Sequence, residues 1–367
     1  MNHVLEAAAI VQQPAMLATI VRVRGHSYRK AGASMLFLAN GRTIGSLSPG
    51  CLEDDLAERL ESVMQSGRFE IVGYNLNAEE DPIWGEAVGC GGSLEILLEP
   101  VDNMLRTWLS DALGRLSAGV ERLYLIREIR ELEIRRRIEE GASLYGKAAF
   151  RAGASLEASG EADCREAVTD GGVRLLEVAL DRSCRVVLFG AGRDAEPICS
   201  LLLRSGFEVV VADWRPALCA MERFPGATGV AVGSPDEVAD ALRIGEKDYV
   251  LVSSHRTDAD RAMIDEALRR RAVYIGVLGS KKRIGLLFGE VPLPPSVHAP
   301  VGLRIGADGP DEIAVSIAAE MIKTRALRRQ RLSREIGEGR IDEDERRLPG
   351  GGKQSQDGEG EARDRTG

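Results

Sequence analysis

The sequence predicts an α/β protein: an N-terminal α/β domain followed by a Rossmann-like domain built on a doubly wound parallel sheet. Three observations carry this reading. Residues 184–327 alternate short apolar runs with segments of helical periodicity. Within them, CRVVLFGAGRDAEPICSLLLRSGFEVVVADWRP reads as strand, glycine turn, helix and second strand. Residues 1–100 carry strand-like runs (MLATIVRVRG, SMLFLANGRTIGSL, SLEILLEP) between helical ones.

Composition sets the bounds. A chain of 367 residues favours two or three domains, and 44% apolar residues suffice for real cores. The net charge is −9 and no basic stripe with interleaved aromatics is present, so a nucleic-acid partner is not expected. There is no basic segment followed by a long apolar stretch at the N-terminus, and no run of 18 apolar residues, so neither a signal peptide nor a membrane span is expected. Six cysteines without close pairing do not resemble a disulfide framework, and a reducing cytoplasm is the expected compartment.

Four regions separate: 1–100, the N-terminal domain; 101–180, a middle connecting region or a further part of that domain; 184–330, the Rossmann-like domain; and 331–367, a polar, glycine-rich stretch expected to be a disordered tail.

In the first region, TIGSL reads as a short strand, and Leu52, Leu56, Leu60 and Val63 fall on one face of the helix after it. Cys51, preceded by Gly50, sits on the Ser-Pro-Gly turn where that helix starts. There the helix dipole favours a thiolate, while Glu53, Asp54 and Asp55 oppose one. A reactive or ligating thiol and a small apolar turn residue are both open readings. VRVRGHSYRKAG places His26, Ser27, Tyr28 and Arg29 between Gly25 and Gly32, either as a loop facing an anionic ligand or as a hairpin connection. Cys90 lies among Gly89, Gly91 and Gly92, where the backbone could wrap a ligand or form a bulge entering the next strand. No CxxC pair supports zinc, no P-loop supports ATP hydrolysis, and no hydrolase constellation stands out. The middle region carries a helix near MLRTWLSDALGRL and a strand at RLYLIREI.

In the third region, Gly190 permits the tight turn, Gly192 lets the backbone approach an anion, and small Ala195 lets the helix pack on its strand. Pro197 falls early in the helix, where proline is tolerated. Asp213 ends the second strand, where a ribose-binding carboxylate belongs, so an NAD(P) site is one reading. KDYVLVSSH and AVYIGVLGS are further parallel strands with polar carboxyl ends. His255 is a base, a ligand contact or a loop histidine; Asp258 and Asp260 cap and start the next helix. Gly279, Ser280, Lys281, Lys282 and Arg283 form a cationic strand end suited to a phosphate, or a solvated helix start. GADGPDEIAVSIAAEMI gives a last helix, with Pro310 at its first position.

Taken together, GHSYRKAG, GSLSPGCLEDDL and GCGGSLEILLEP resemble the N-terminal signatures of the XdhC/CoxI family. LFGAGRDAEPI, VADWRP, SSHRTDAD, YIGVLGSKKR and HAPVGLRIGADGPDEIAVSIAAE resemble, in order, that family's Rossmann domain. The resemblance covers about residues 10–100 and 184–325. It implies a dimeric, cytoplasmic accessory factor. Such a factor binds molybdenum cofactor, protects it while a terminal oxo ligand is replaced by sulfur from a cysteine desulfurase, and passes it to a xanthine dehydrogenase-type apo-enzyme. The family's two N-terminal cysteines fall on Cys51 and Cys90, its Rossmann glycines on Gly190 and Gly192, and its strand-end histidine on His255. Pro49 stands where the family often has glycine, and Arg193 where it often has histidine. A soft thiolate suits a sulfur-rich metal centre and a helix N-terminus suits a phosphate. The implied site therefore has Cys51 at the molybdenum and Cys90 assisting, each with its neighbouring glycine, Gly50 or Gly91. The Gly190–Arg193 turn or the Lys281–Arg283 cluster would hold the phosphate, and the two domains or two protomers would face one another. The rival readings are an NAD(P)-dependent oxidoreductase and a scaffold that docks a partner without cofactor.

Overall fold

Strand β1 (Ala15–Gly25) is buried on both faces along most of its length, and this organises the N-terminal half. The structure, a computed structural model, describes residues 2–50, 52–75, 92–140, 164–168, 172–289 and 291–345. β1 pairs antiparallel with β2 (Ser34–Leu38) on one side and β5 (Gly92–Pro100) on the other; β3 (Thr43–Gly45) and β4 (Glu70–Asn75) complete a five-stranded sheet, β3-β2-β1-β5-β4. Because side chains alternate along a strand, Met16, Ala18 and Ile20 meet one layer and Ala15 and Leu17 the other.

The first layer is formed by α2 (Glu53–Glu58) and α3 (Leu60–Ser66), which bring Leu52, Leu56 and Val63 against Phe37 and Ile96. The expected single helix is thus two short helices meeting at Arg59, with the expected apolar face intact. The second layer contains α1 (Asn2–Ile10), α4 (Asn103–Ser117) and the middle region. That region forms an antiparallel sheet of β7 (Glu133–Glu140), β6 (Arg122–Arg130), β9 (Arg174–Asp181) and β8 (Cys164–Val168), in that order. Leu123, Leu125, Val178 and Leu180 share one core with Leu5, Leu17, Leu36 and Leu105, so the middle strands pack as a layer of the N-terminal half.

The C-terminal half is a six-stranded, all-parallel sheet in the order β12-β11-β10-β13-β14-β15. Its strands are β10 (Arg185–Phe189), β11 (Glu208–Asp213), β12 (Gly229–Val232), β13 (Tyr249–Val252), β14 (Tyr274–Val277) and β15 (Val297–His298). Numbered from β10, this is the 3-2-1-4-5-6 order of dinucleotide-binding folds. Val186 and Leu188 face α5 (Ala195–Arg204) and the last helix, α9 (Gly309–Glu345). Val187 and Phe189 face α6 (Pro235–Ala241), α7 (Thr257–Arg269) and α8 (Lys281–Phe288). Helices on both faces explain why these strands read as unbroken apolar runs. Among the described residues no helix is long and apolar enough to cross a membrane.

The expected end of structure at 331 is corrected: α9 continues to Glu345, and residues 346–367 lie outside the described residues. Residues 331–345 hold no proline and supply the arginines, glutamates and isoleucines with which a helix nucleated by packing can continue.

Candidate functional site

The crevice at the carboxyl end of the parallel sheet lies where the strand order reverses, between β10 and β13, and encloses about 690 Å³. Its walls come from the β10–α5 turn (Asp194), the β13 end (His255), the β14 end (Gly279–Lys281) and the loop from Ala299 to Ala307.

The β10–α5 turn is shaped by one close contact. Gly190 has φ 117°, and a β-carbon there would stand 2.5 Å from the Ser253 carbonyl carbon. Only glycine fits. Gly192 is different: a β-carbon there would meet nothing within 4 Å, so the backbone faces open space at the start of α5. Asp194 precedes that helix but gives it no side-chain cap; its carboxylate instead meets His255 Nε2 at 3.3 Å. The first N–H groups of α5 are thus left without a capping side chain, an arrangement that suits an anion. Arg193 is exposed beside them.

His255 holds a left-handed φ of 62°, uncommon for a residue with a β-carbon. Its carbonyl accepts from Arg283 Nη1 at 3.1 Å, and Arg283 Nη2 binds the Asp260 carboxylate. Asp260 is fully buried and also accepts from Ser254 N–H at 3.2 Å and from the Ser254 hydroxyl. Two expectations are corrected here. Asp258 and Asp260 lie inside the first turn of α7, whose N-cap is Arg256, so neither caps it; Asp258 pairs with Arg256 and Asp260 supports the His255 loop. Arg283 is turned inward by Asp260 and is committed to holding this loop, leaving Lys281 and Arg304 as the exposed cations on the wall. Ser280 caps α8 by accepting from the Arg283 N–H at 3.3 Å.

Asp213 is fully buried. Its carboxylate accepts from the Ala191 N–H at 2.8 Å, from the Arg215 N–H at 2.9 Å, and from Arg215 Nε and Nη2, both at 2.8 Å. Burial alone would raise its pKa, but the Arg215 guanidinium and these N–H groups outweigh it and hold the carboxyl below the ordinary aspartate value. A ribose diol would have to displace Arg215. Beside it, Trp214 is flanked by the guanidinium groups of Arg215 and Arg256, at 4.6 and 5.4 Å from the ring centre.

Cys51, Cys90 and Gly91 lie outside the described residues. The turn leading to position 51 is held by Glu53, whose Oε1 accepts from the N–H groups of Leu47 (3.0 Å) and Ser48 (2.7 Å) and whose Oε2 takes the Ser48 hydroxyl. Burial would raise the Glu53 carboxyl, but the Ser48 hydroxyl and these N–H groups outweigh it and keep it below its usual value. Asp55 pairs with Arg59 and accepts from the Tyr74 hydroxyl. Two of the three acids expected to repel a thiolate are therefore engaged elsewhere. Gly50 is exposed, with φ 133°. No described residue of the N-terminal half lines the crevice.

Sequence reasoning missed Asp194, Arg304 and the whole Ala299–Ala307 wall. The signal was present: PVGLRIGADGP packs three glycines between two prolines, a pattern of a shaped loop.

One family profile, described as the XdhC and CoxI family, matches residues 11–75, and a second, the XdhC Rossmann domain, matches residues 186–321. A Bacillus subtilis (strain 168) protein described as a probable xanthine dehydrogenase subunit is 34% identical over 331 residues, covering 88% of this chain and 97% of that protein. The chain belongs to the XdhC and CoxI family. A solved xanthine dehydrogenase structure from Bacillus halodurans, also 34% identical, superposes with a TM-score of 0.74 and covers 89% of this chain and 96% of that one. The molybdenum cofactor insertion chaperone PaoD of Escherichia coli (strain K12) is 23% identical over 320 residues, 85% of this chain and 83% of that one. The XdhC Rossmann match begins in β10 and ends in α9, so it spans every wall of the crevice.

Proposed function

We propose that this XdhC/CoxI-family chain is a cytoplasmic accessory factor that binds molybdenum cofactor as cargo, supports its sulfuration and delivers it to a xanthine dehydrogenase-type apo-enzyme. The observation that carries the reading is the uncapped start of α5, open beside Gly192 at the reversal point of the sheet and faced by Lys281 and Arg304. This donor set fits a phosphate monoester such as the cofactor carries. In this reading Arg193 and Lys281 neutralise the phosphate, His255 and Asp194 border it, and Arg283 acts as a positioning residue behind His255. The Cys51 thiol, with Cys90, meets the molybdenum end, brought there by the facing domain of the same chain or of a second copy. A cysteine desulfurase supplies the sulfur.

The rival NAD(P)-dependent oxidoreductase has less support, because the Asp213 carboxylate is already saturated by Arg215 and Ala191.

The test is the pterin content of the full chain purified from molybdenum-replete cells, read as fluorescence after oxidation and as mass. We expect bound pterin, reduced about tenfold in Lys281→Gln, the loss of one charge-assisted contact. Cys51→Ser is expected to lower it as well. Absence of pterin, or pterin unchanged in both variants, overturns the reading; a dehydrogenase rate with NAD(P)H would replace it.

A further inference from the structure

A second cavity of about 750 Å³ opens between the two halves of the molecule, away from the sheet crevice. Its walls come from α1, the loop after β1, the end of β9, the α5–β11 turn and the far part of α9. Although the protein carries a net charge of −9, this cavity is lined by five cations: Arg29, Lys30, Arg204, Arg325 and Arg329. Three carboxylates face them. Asp181 is already held by Arg122 at 2.5 Å and by Arg329 at 3.0 Å. Glu208 is half-buried, and burial pushes its carboxyl above the ordinary glutamate value; Glu6 is the third.

Arg325 is the most telling of the cations. Its guanidinium lies 4.2 Å from the centre of the Phe207 ring and donates to the Gly206 carbonyl at 3.3 Å, but no carboxylate pairs with it among the described residues. Arg204, exposed at the end of α5 on the same cavity wall, likewise has no ion-pair partner among them. A partly buried guanidinium without a counter-charge is costly, and the neighbouring Arg329 adds to that cost. Proteins keep such a group where an anion completes it, and guanidinium forks match phosphate oxygens in geometry.

We infer that this inter-half cavity is a binding site for a small phosphate-bearing ligand, held between Arg204 and Arg325 on the Rossmann side and Arg29 on the N-terminal side. The volume suits a molecule of nucleotide size. Such a ligand bridges the two halves and stabilises their contact. The site is distinct from the crevice that the cofactor reading uses and does not depend on that reading.

The experiment is thermal unfolding of the full chain titrated with inorganic pyrophosphate at constant ionic strength. The expected result is a saturable rise in Tm for the parent chain and for Lys281→Gln. In Arg204→Gln, an exposed position whose change leaves the core untouched, and in Arg325→Gln, the midpoint concentration rises at least about tenfold, the cost of one charge-assisted contact. Circular dichroism without ligand checks that both variants are folded. Three results overturn the inference: no saturable shift, wild-type midpoints in both arginine variants, or loss of the response in Lys281→Gln instead.

Discussion

His255 Nε2 stands 3.3 Å from the Asp194 carboxylate, joining two strand-end loops across the mouth of the sheet crevice. His255 does so from a left-handed backbone at φ 62°, where a β-carbon costs about 1–2 kcal/mol. We expect His255→Gly to gain about 1 kcal/mol in urea unfolding while bound pterin falls. His255→Ala keeps the backbone cost and is expected to lose pterin without that gain. Equal stability of the two variants would dismiss the idea that strain is held at this residue.

Gly190 and Gly192 sit two residues apart and are expected to behave oppositely. Gly190→Ala forces a β-carbon onto the Ser253 backbone, and a loss of about 2–3 kcal/mol in unfolding free energy is expected. Gly192→Ala meets only open space, so its melting temperature should match the parent while bound pterin drops. The paired melts and pterin assays check this.

Asp213 gives a pH dependence of known sign. Its folded pKa is depressed below the ordinary 3.8, so the stabilisation is present above that value and is lost as pH falls through the lower folded value. In Asp213→Asn we expect a deficit of about 2–3 kcal/mol at neutral pH that closes below about pH 3.8. Urea midpoints of both proteins across the acid range measure it.

Glu99 is fully buried and bridges Arg127 at 2.8 Å and Arg136 at 2.9 Å. Removing one member of a buried ion pair costs about 3–5 kcal/mol because it strands the partner. Glu99→Ala should fall in that range, whereas Glu61→Ala, at an exposed site on α3, should stay within about 0.5 kcal/mol of the parent. Chemical denaturation distinguishes the two.

The C-terminal sheet was legible because strand runs, glycine turn and helical periodicity all act over short distances. Val186 and Val187 point to opposite faces, and their apolar neighbours in sequence already said so. The middle sheet was only partly legible: RLYLIREI read as a strand and is β6, but β7 reads EIRRRIEE, and its charged, exposed face gives little apolar signal before β6 is placed beside it. At the site, Gly190 and His255 were visible as strand-end residues. The inward turn of Arg283 was not, because Asp260, which draws it in, lies 23 residues away. Nor could the spacing reveal that Arg215, two residues on, fills the lone pairs of Asp213. Local sequence names the groups at a strand end; tertiary contacts decide which of them are spent.

The last helix links what a modular view would separate. It starts beside the crevice at Gly309, and further along Arg328 reaches Glu121 at 3.2 Å while Arg329 reaches Asp181 at 3.0 Å, both in the N-terminal half. A gene fragment encoding the Rossmann half alone would strand those two arginines in solvent. A fragment ending before residue 184 would take Arg328 from Glu121 and Arg329 from Asp181, leaving Asp181 with Arg122 alone. The halves are therefore joined by charge pairs as well as by the chain, and dividing the protein between them would break both pairs.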